Sequence, residues 1–191
     1  MRFPVSFLIL LLVISFTASA NQTLRVVTSL HPIKLIVDEI MQGHGSSVAL
    51  ISATDSPHHF QLRPSQMKMA TQADLLIWIS NDFETGLNRV QKILPAGSHR
   101  LQLISNLPTT LLIGNADHHE DTHDEEHRDI DGHIWLSPEL IIQSSQIIAE
   151  KLSQLDPANA TSYRHNTQKL ITGIQQWKSK SQQLLLKDNS K

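Results

Sequence analysis

Histidine is the residue type in this sequence whose spacing could do chemistry, and it matters in three places. The first is Ser56-Pro57-His58-His59-Phe60, two adjacent imidazoles beside a proline and an aromatic ring. The second is Gly132-His133-Ile134-Trp135-Leu136-Ser137-Pro138, where a histidine opens a short apolar run and a serine-proline pair follows. The third is the segment 117–131, which carries His118, His119, His123 and His127 among eight acidic residues and one arginine. A neutral imidazole offers a nitrogen lone pair to a divalent ion, and carboxylates supply oxygen ligands or raise imidazole basicity. There is no cysteine, which excludes a disulfide framework and any thiolate site. Zinc or a harder ion would have to be held by His, Asp and Glu.

Each feature also has a plainer reading. His58 and His59 can be two polar loop residues in water. His133, at the mouth of an apolar strand, can be a hydrogen-bonded core histidine. The segment 117–131 can be a solvated acidic linker. Against that last reading, histidine is rare in ordinary linkers, and His119, His123 and His127 repeat every four residues. That spacing would align them if the segment became helical on binding metal. With almost nothing apolar, the segment is expected to be disordered without metal. His31, His44, His99 and His165 stand in no pattern and are expected at the surface.

Composition narrows the class. A chain of 191 residues with 40% hydrophobic content can bury one core. The formal net charge of −2 gives no argument for nucleic acid. The charge is uneven: 117–131 contributes −7, which leaves +5 for the rest. No P-loop, nucleophile elbow or HExxH motif is present, and nothing in the pattern argues for an enzyme. Residues 1–20 read as a signal peptide: Arg2, a continuous apolar run over 8–13, and Ala18-Ser19-Ala20 before the expected mature start at Asn21. The apolar run is shorter than the ~20 residues of a membrane span. The expected compartment is therefore the periplasm or the outside of the cell.

The elements that must position the histidines follow from periodicity. Residues 24–30 (LRVVTSL) predict a buried strand, and Ile33, Ile36, Val37 and Ile40 then recur at helical spacing. A second strand is expected over 48–51, a helix from Pro64, and a fully buried strand over 75–79 (LLIWI). A helix is expected over 83–94, with Phe83, Leu87, Val90 and Leu94 on one face, and a strand over 99–104. Ser137-Pro138 has the form of an N-cap and first helical residue, and its helix turns Leu140, Ile141, Ile147, Ile148, Leu152 and Leu155 inward. Asp156-Pro157 starts a long final helix to about Leu186 whose apolar positions are Tyr163, Leu170, Ile174, Trp177 and Leu184. At ~1.5 Å per residue it would reach about 45 Å. Alternating strands and helices predict an α/β fold: a single lobe with a parallel sheet flanked by helices, then the long C-terminal helix. In such sheets ligands sit at the carboxyl ends of the strands, so His58 and His133 are expected on one rim. The expected division is 21–155 for the lobe and 156–191 for the helix.

These pieces resemble the periplasmic zinc-binding components of ABC importers, the cluster A-I solute-binding proteins. The resemblance is carried by Pro57-His58-His59-Phe60-Gln61-Leu62-Arg63-Pro64-Ser65, by Ala73-Asp74-Leu75-Leu76-Ile77-Trp78, by the His/acid segment, and by His133-Ile134-Trp135-Leu136-Ser137-Pro138. It implies two α/β lobes joined by one long helix, with the metal in the cleft between. His58, six residues before Pro64, matches the family's first metal histidine, and His133 matches the second. The helix from Pro157 matches the linking helix. The family takes a third histidine and a carboxylate from the second lobe, and this sequence ends where that lobe would begin. A form truncated to the N-terminal lobe is therefore expected. The cargo implied is Zn2+, passed to a membrane permease and its ATPase, with a separate second lobe or a second copy as candidate partners.

Three functions follow as expectations. One is zinc capture for import, with His58 and His133 as ligands and His118, His119, His123 and His127 as a low-affinity reservoir. Another is a stand-alone periplasmic zinc buffer or chaperone acting through 117–131. The third is a non-functional remnant, with the apolar face of the long helix left uncovered.

Overall fold

The computed structural model describes residues 23–56, 60–108 and 131–188. Strand β1 is Val26–Thr28, and helix α1, His31–Ile40, follows with Pro32 in its first turn. Ile33, Ile36, Val37 and Ile40 form its buried stripe, as their spacing predicts. β2 is Ser47–Ala49, α2 is Pro64–Thr71 and β3 is Leu75–Trp78. All four residues of β3 are buried, the pattern of a strand covered on both faces. A single 3-10 turn, Thr85–Leu87, leads into α3, Asn88–Ile93, and β4 is His99–Gln102. After a 3-10 turn at Ile134–Leu136 come α4, Pro138–Leu155, and, past Pro157–Asn159, α5, Ala160–Asp188.

The four strands form one parallel sheet in the order β2-β1-β3-β4. The chain moves outward from β1 to β2, then crosses back over β1 to β3. Right-handed crossovers therefore put α1 on one face and α2 with α3 on the other. α1 packs on α4 and α5, and α2 packs on α3. The reversal creates a switch point between β1 and β3, and its carboxyl end is where a doubly wound sheet opens a crevice.

One core joins both faces. Ile33, Val37, Leu75, Ile77, Leu103, Ile148, Leu152 and Tyr163 are completely or almost completely buried in it. Tyr163 brings the first turns of α5 into that core, where its hydroxyl donates to Asp156 Oδ2 at 2.6 Å. Burial, and next the hydrogen bond to Asp156, push the Tyr163 phenol above its usual range. Asn166 adds a tie across the molecule, donating to the carbonyls of Ile40 and Gln42, each at 3.0 Å.

Several expectations are corrected. The helix expected over 83–94 is instead a 3-10 turn followed by a short α3, because residues 80–84 fold back onto the end of β3. The strand expected over 99–104 stops at Gln102, and the chain turns at Ile104–Asn106. Ile134-Trp135-Leu136 is a 3-10 turn and no strand; Ile134 is buried, whereas Leu136 is 73% exposed. His99 and His165 are exposed as expected, but His31 and His44 are half-buried. His44 packs edge-on to the Tyr163 ring at 6.0 Å. In α5, Ile171 is buried while Trp177 and Leu184 are exposed. No helix among the described residues is long and apolar enough to cross a membrane.

Candidate metal centre

His133 lies beyond the carboxyl ends of the strands, packed on the turn that follows β3. Its ring meets Phe83 edge-on, with centroids 5.0 Å apart and planes at 84°, and meets Trp135 at 5.2 Å. Phe83 and Trp135 are themselves 5.9 Å apart, so three rings form one cluster. Gly132 makes the cluster possible, because a Cβ at that position would stand 2.2 Å from Phe83 Cδ2. The His133 side chain keeps 41% exposure, so the imidazole is walled on its apolar sides and open to solvent elsewhere.

Asp131 sets the orientation of that imidazole. Its Oδ1 accepts the His133 backbone N–H at 2.9 Å and lies 2.7 Å from His133 Nδ1. A charged carboxylate can only accept, so the proton of a neutral imidazole sits on Nδ1 and the lone pair on Nε2. These two hydrogen bonds, backbone first, hold the Asp131 carboxyl below the usual carboxylate range. A carboxylate behind an imidazole in this way fixes the tautomer and raises ligand strength. Sequence reasoning missed Asp131 as a positioning partner; the signal was its place two residues before His133.

His58 falls outside the described residues, as do His118, His119, His123 and His127. The described flanks of the His58-His59 pair are nevertheless informative. Gln66 closes the segment at its base: its Oε1 accepts the Arg63 N–H at 2.7 Å, and its Nε2 donates to the Leu50 carbonyl. Phe60, the residue after His59, rests on Gly86, where a Cβ would be 2.6 Å from the Phe60 carbonyl oxygen. Gly86 belongs to the same turn as Phe83. Phe60, next to one candidate segment, and Gly132 with His133 in the other thus meet one piece of backbone.

That turn holds a second residue that sequence reasoning missed. Glu84 is fully buried, and its Oε2 accepts the N–H groups of Ile79 and Ser80 at 2.7 and 3.0 Å. The buried Ser29 hydroxyl also bears on this carboxyl. Burial pushes the Glu84 carboxyl up to about 7, against the opposing pull of the Ser29 hydroxyl and the two amides. No group of three or more His, Asp and Glu side chains converges among the described residues.

Comparison with known proteins places the chain in a family. The family model for the zinc-uptake complex component A, periplasmic, matches residues 26–189. The high-affinity zinc uptake system protein ZnuA of Yersinia pestis is 31% identical over an alignment of 152 positions, gaps included, that covers 70% of this chain and 47% of that protein. The protein of the same description from Paracoccus denitrificans is 33% identical over an alignment of 182 positions, gaps included, that covers 78% of this chain and 53% of its own length. The chain thus spans about half the length of the curated relatives it matches. Among solved structures, the periplasmic zinc binding protein TroA from Treponema pallidum superposes with a TM-score of 0.69 at 19% identity, over 81% of this chain and 52% of that one. At that identity the likeness speaks for the fold.

Proposed function

The chain belongs to the family of the periplasmic component A of zinc-uptake complexes, and from that premise we propose that it captures zinc in the periplasm for high-affinity import by an ABC transporter. It acts as a binding protein and performs no catalysis. His133 ligates zinc through Nε2, with Asp131 behind Nδ1. His58 supplies a second imidazole from the loop between β2 and α2. The domains are those read from the sequence: a leader over 1–20, a metal-binding lobe over 21–155 and a linking helix over 156–191. His118, His119, His123 and His127 collect zinc weakly and pass it to the rim. The partners are a permease and its ATPase in the inner membrane.

The observation that carries this reading is His133 itself. It is a half-exposed imidazole, held by a carboxylate at 2.7 Å and walled by two aromatic rings on the carboxyl rim of a parallel sheet. Zinc prefers four ligands, and two histidines leave positions for water, for a second lobe or for a second copy of the chain.

The test is a calorimetric zinc titration of the chain purified from the periplasm of expressing cells. Beside it run a variant lacking 117–130, which keeps Asp131 behind His133, and the pair His58→Ala and His133→Ala. The expected result is one tight site that survives loop removal and weakens by about a hundredfold or more when a histidine is lost, in line with deleting a direct ligand. Weak multiple binding that disappears with 117–130 would replace this reading with that of a zinc buffer. Binding should fade in acid in every case, because imidazole ligates only when neutral.

A further inference from the structure

We propose that the turn 80–87 is a bracket that fixes where Phe60 and His133 stand at the rim of the sheet, and that Glu84 is the positioning residue that holds this bracket in shape. The proposal rests on the reading of His133 as a zinc ligand.

The bracket is fastened throughout its length. At its start, Ile79 and Ser80 donate their N–H groups to Glu84 Oε2 at 2.7 and 3.0 Å. At its middle, Ser80 Oγ accepts the Phe83 N–H at 3.0 Å, and the Ser80 carbonyl accepts the Glu84 N–H at 3.1 Å. Asn81 ties it to its surroundings, with Oδ1 accepting from Trp78 Nε1 at 3.0 Å and from Gln91 Nε2 at 2.6 Å. At its end the Glu84 carbonyl accepts the Leu87 N–H at 2.9 Å. A buried carboxyl is costly and persists where it satisfies groups that nothing else can reach. Here it supplies an acceptor for two successive amides just past β3.

The bracket has two working faces, and glycine permits close approach at both. On one, Gly86 receives the Phe60 backbone, with 2.6 Å between the Phe60 oxygen and any Cβ placed there. On the other, Phe83 fills the space a side chain at 132 would need and meets His133 edge-on at 5.0 Å. Phe60 and Gly132 are far apart in sequence, yet both take their position from eight consecutive residues. Zinc bonds imidazole nitrogen at about 2.0–2.1 Å, and sites tolerate only about 0.5 Å of error in their supporting shell. A shift of the bracket therefore changes affinity before it changes the fold.

The experiment measures zinc affinity by competition with a chromophoric chelator, alongside circular dichroism of the metal-free chain. Gly132→Ala should remain folded and bind zinc about tenfold more weakly, the scale of losing an outer partner of a ligand. Phe83→Ala, which removes the ring that His133 packs on, should remain folded and lose a similar amount. Glu84→Gln keeps an oxygen acceptor for the two amides and should bind within about twofold of the parent, whereas Glu84→Ala should match or exceed the loss of Gly132→Ala. If Glu84→Ala does not fold, the glycine and phenylalanine variants decide the matter alone. Equal affinity of Gly132→Ala and the parent, or of Phe83→Ala and the parent, overturns the bracket. His133→Ala separates the two ideas. If it loses zinc while the bracket variants do not, only the bracket falls; if it binds as the parent does, the site reading falls and takes the bracket with it.

Discussion

Two carboxyls near the rim are pushed in opposite directions, and each leaves its own signature in pH. Asp131 is held low by the His133 amide and ring. Its contribution is present above the ordinary carboxylate range and is lost as pH falls through its lowered value. Asp131→Asn keeps the size but weakens acceptance from Nδ1–H, so zinc affinity should fall by about tenfold; a chelator competition at neutral pH measures it. Glu84 is the reverse case, raised from 4.5 to about 7 by burial. The folded state holds its proton where the unfolded chain releases it, so this stability is complete at low pH and is lost as pH rises through the folded value. Urea unfolding across that window should show the parent losing on the order of 3 kcal/mol relative to Glu84→Gln, with no further change above it. The two residues also differ in how far the sequence discloses them. Asp131 stands two places before a marked histidine. Glu84 sits in Asn81-Asp82-Phe83-Glu84-Thr85, where no local pattern tells a buried carboxyl from an exposed one, and only the fold-back of the turn decides.

At the scale of elements, local periodicity and tertiary contact divide the credit. α1 and β3 are legible because one face of a 3.6-residue repeat and a continuous apolar run each admit few alternatives. Ile134-Trp135-Leu136 is not legible, since three apolar residues fit a strand or a turn equally well. Contact of His133 and Trp135 with Phe83 selects the turn. The Ser137-Pro138 signal does hold: Ser137 Oγ accepts the Leu140 N–H at 3.4 Å and α4 begins there. The closure of the segment between β2 and α2 by Gln66 was invisible in sequence, because its partners Leu50 and Arg63 lie on opposite sides of the loop. Gln66→Ala removes both bonds and should destabilise the chain by about 1–3 kcal/mol in urea unfolding. If His58 ligates zinc, the same change should also loosen zinc binding, while Ser137→Ala should cost about 1 kcal/mol or less and leave the loop alone.

Over the whole molecule, α5 is the least evenly supported part. Its 29 residues begin inside the core, with Tyr163, Thr167 and Ile171 buried. Lys178 then pairs with Glu139 of α4, and beyond it Leu184, Leu185 and Leu186 are 60–72% exposed. Amide hydrogen exchange should therefore show strong protection around 163–171 and fast exchange over 179–187, since local stability follows buried contact. Equal protection along the helix would contradict that account. The extent of α5 was readable from its start signal and composition, whereas which of its apolar residues find a partner depended on α1 and α4. The ring cluster at the rim carries a consequence of another kind. The chain has three tryptophans. Trp78 is buried beneath the sheet's end, Trp177 stands in solvent, and Trp135 lies 5.2 Å from the His133 ring. Trp135 fluorescence is thus a built-in optical gauge of that imidazole: quenched when it gains a proton, altered when its lone pair is taken up. Replacing Trp177 with phenylalanine would strip away the solvent-exposed glow and leave only the buried Trp78 as a steady background to the rim's own report.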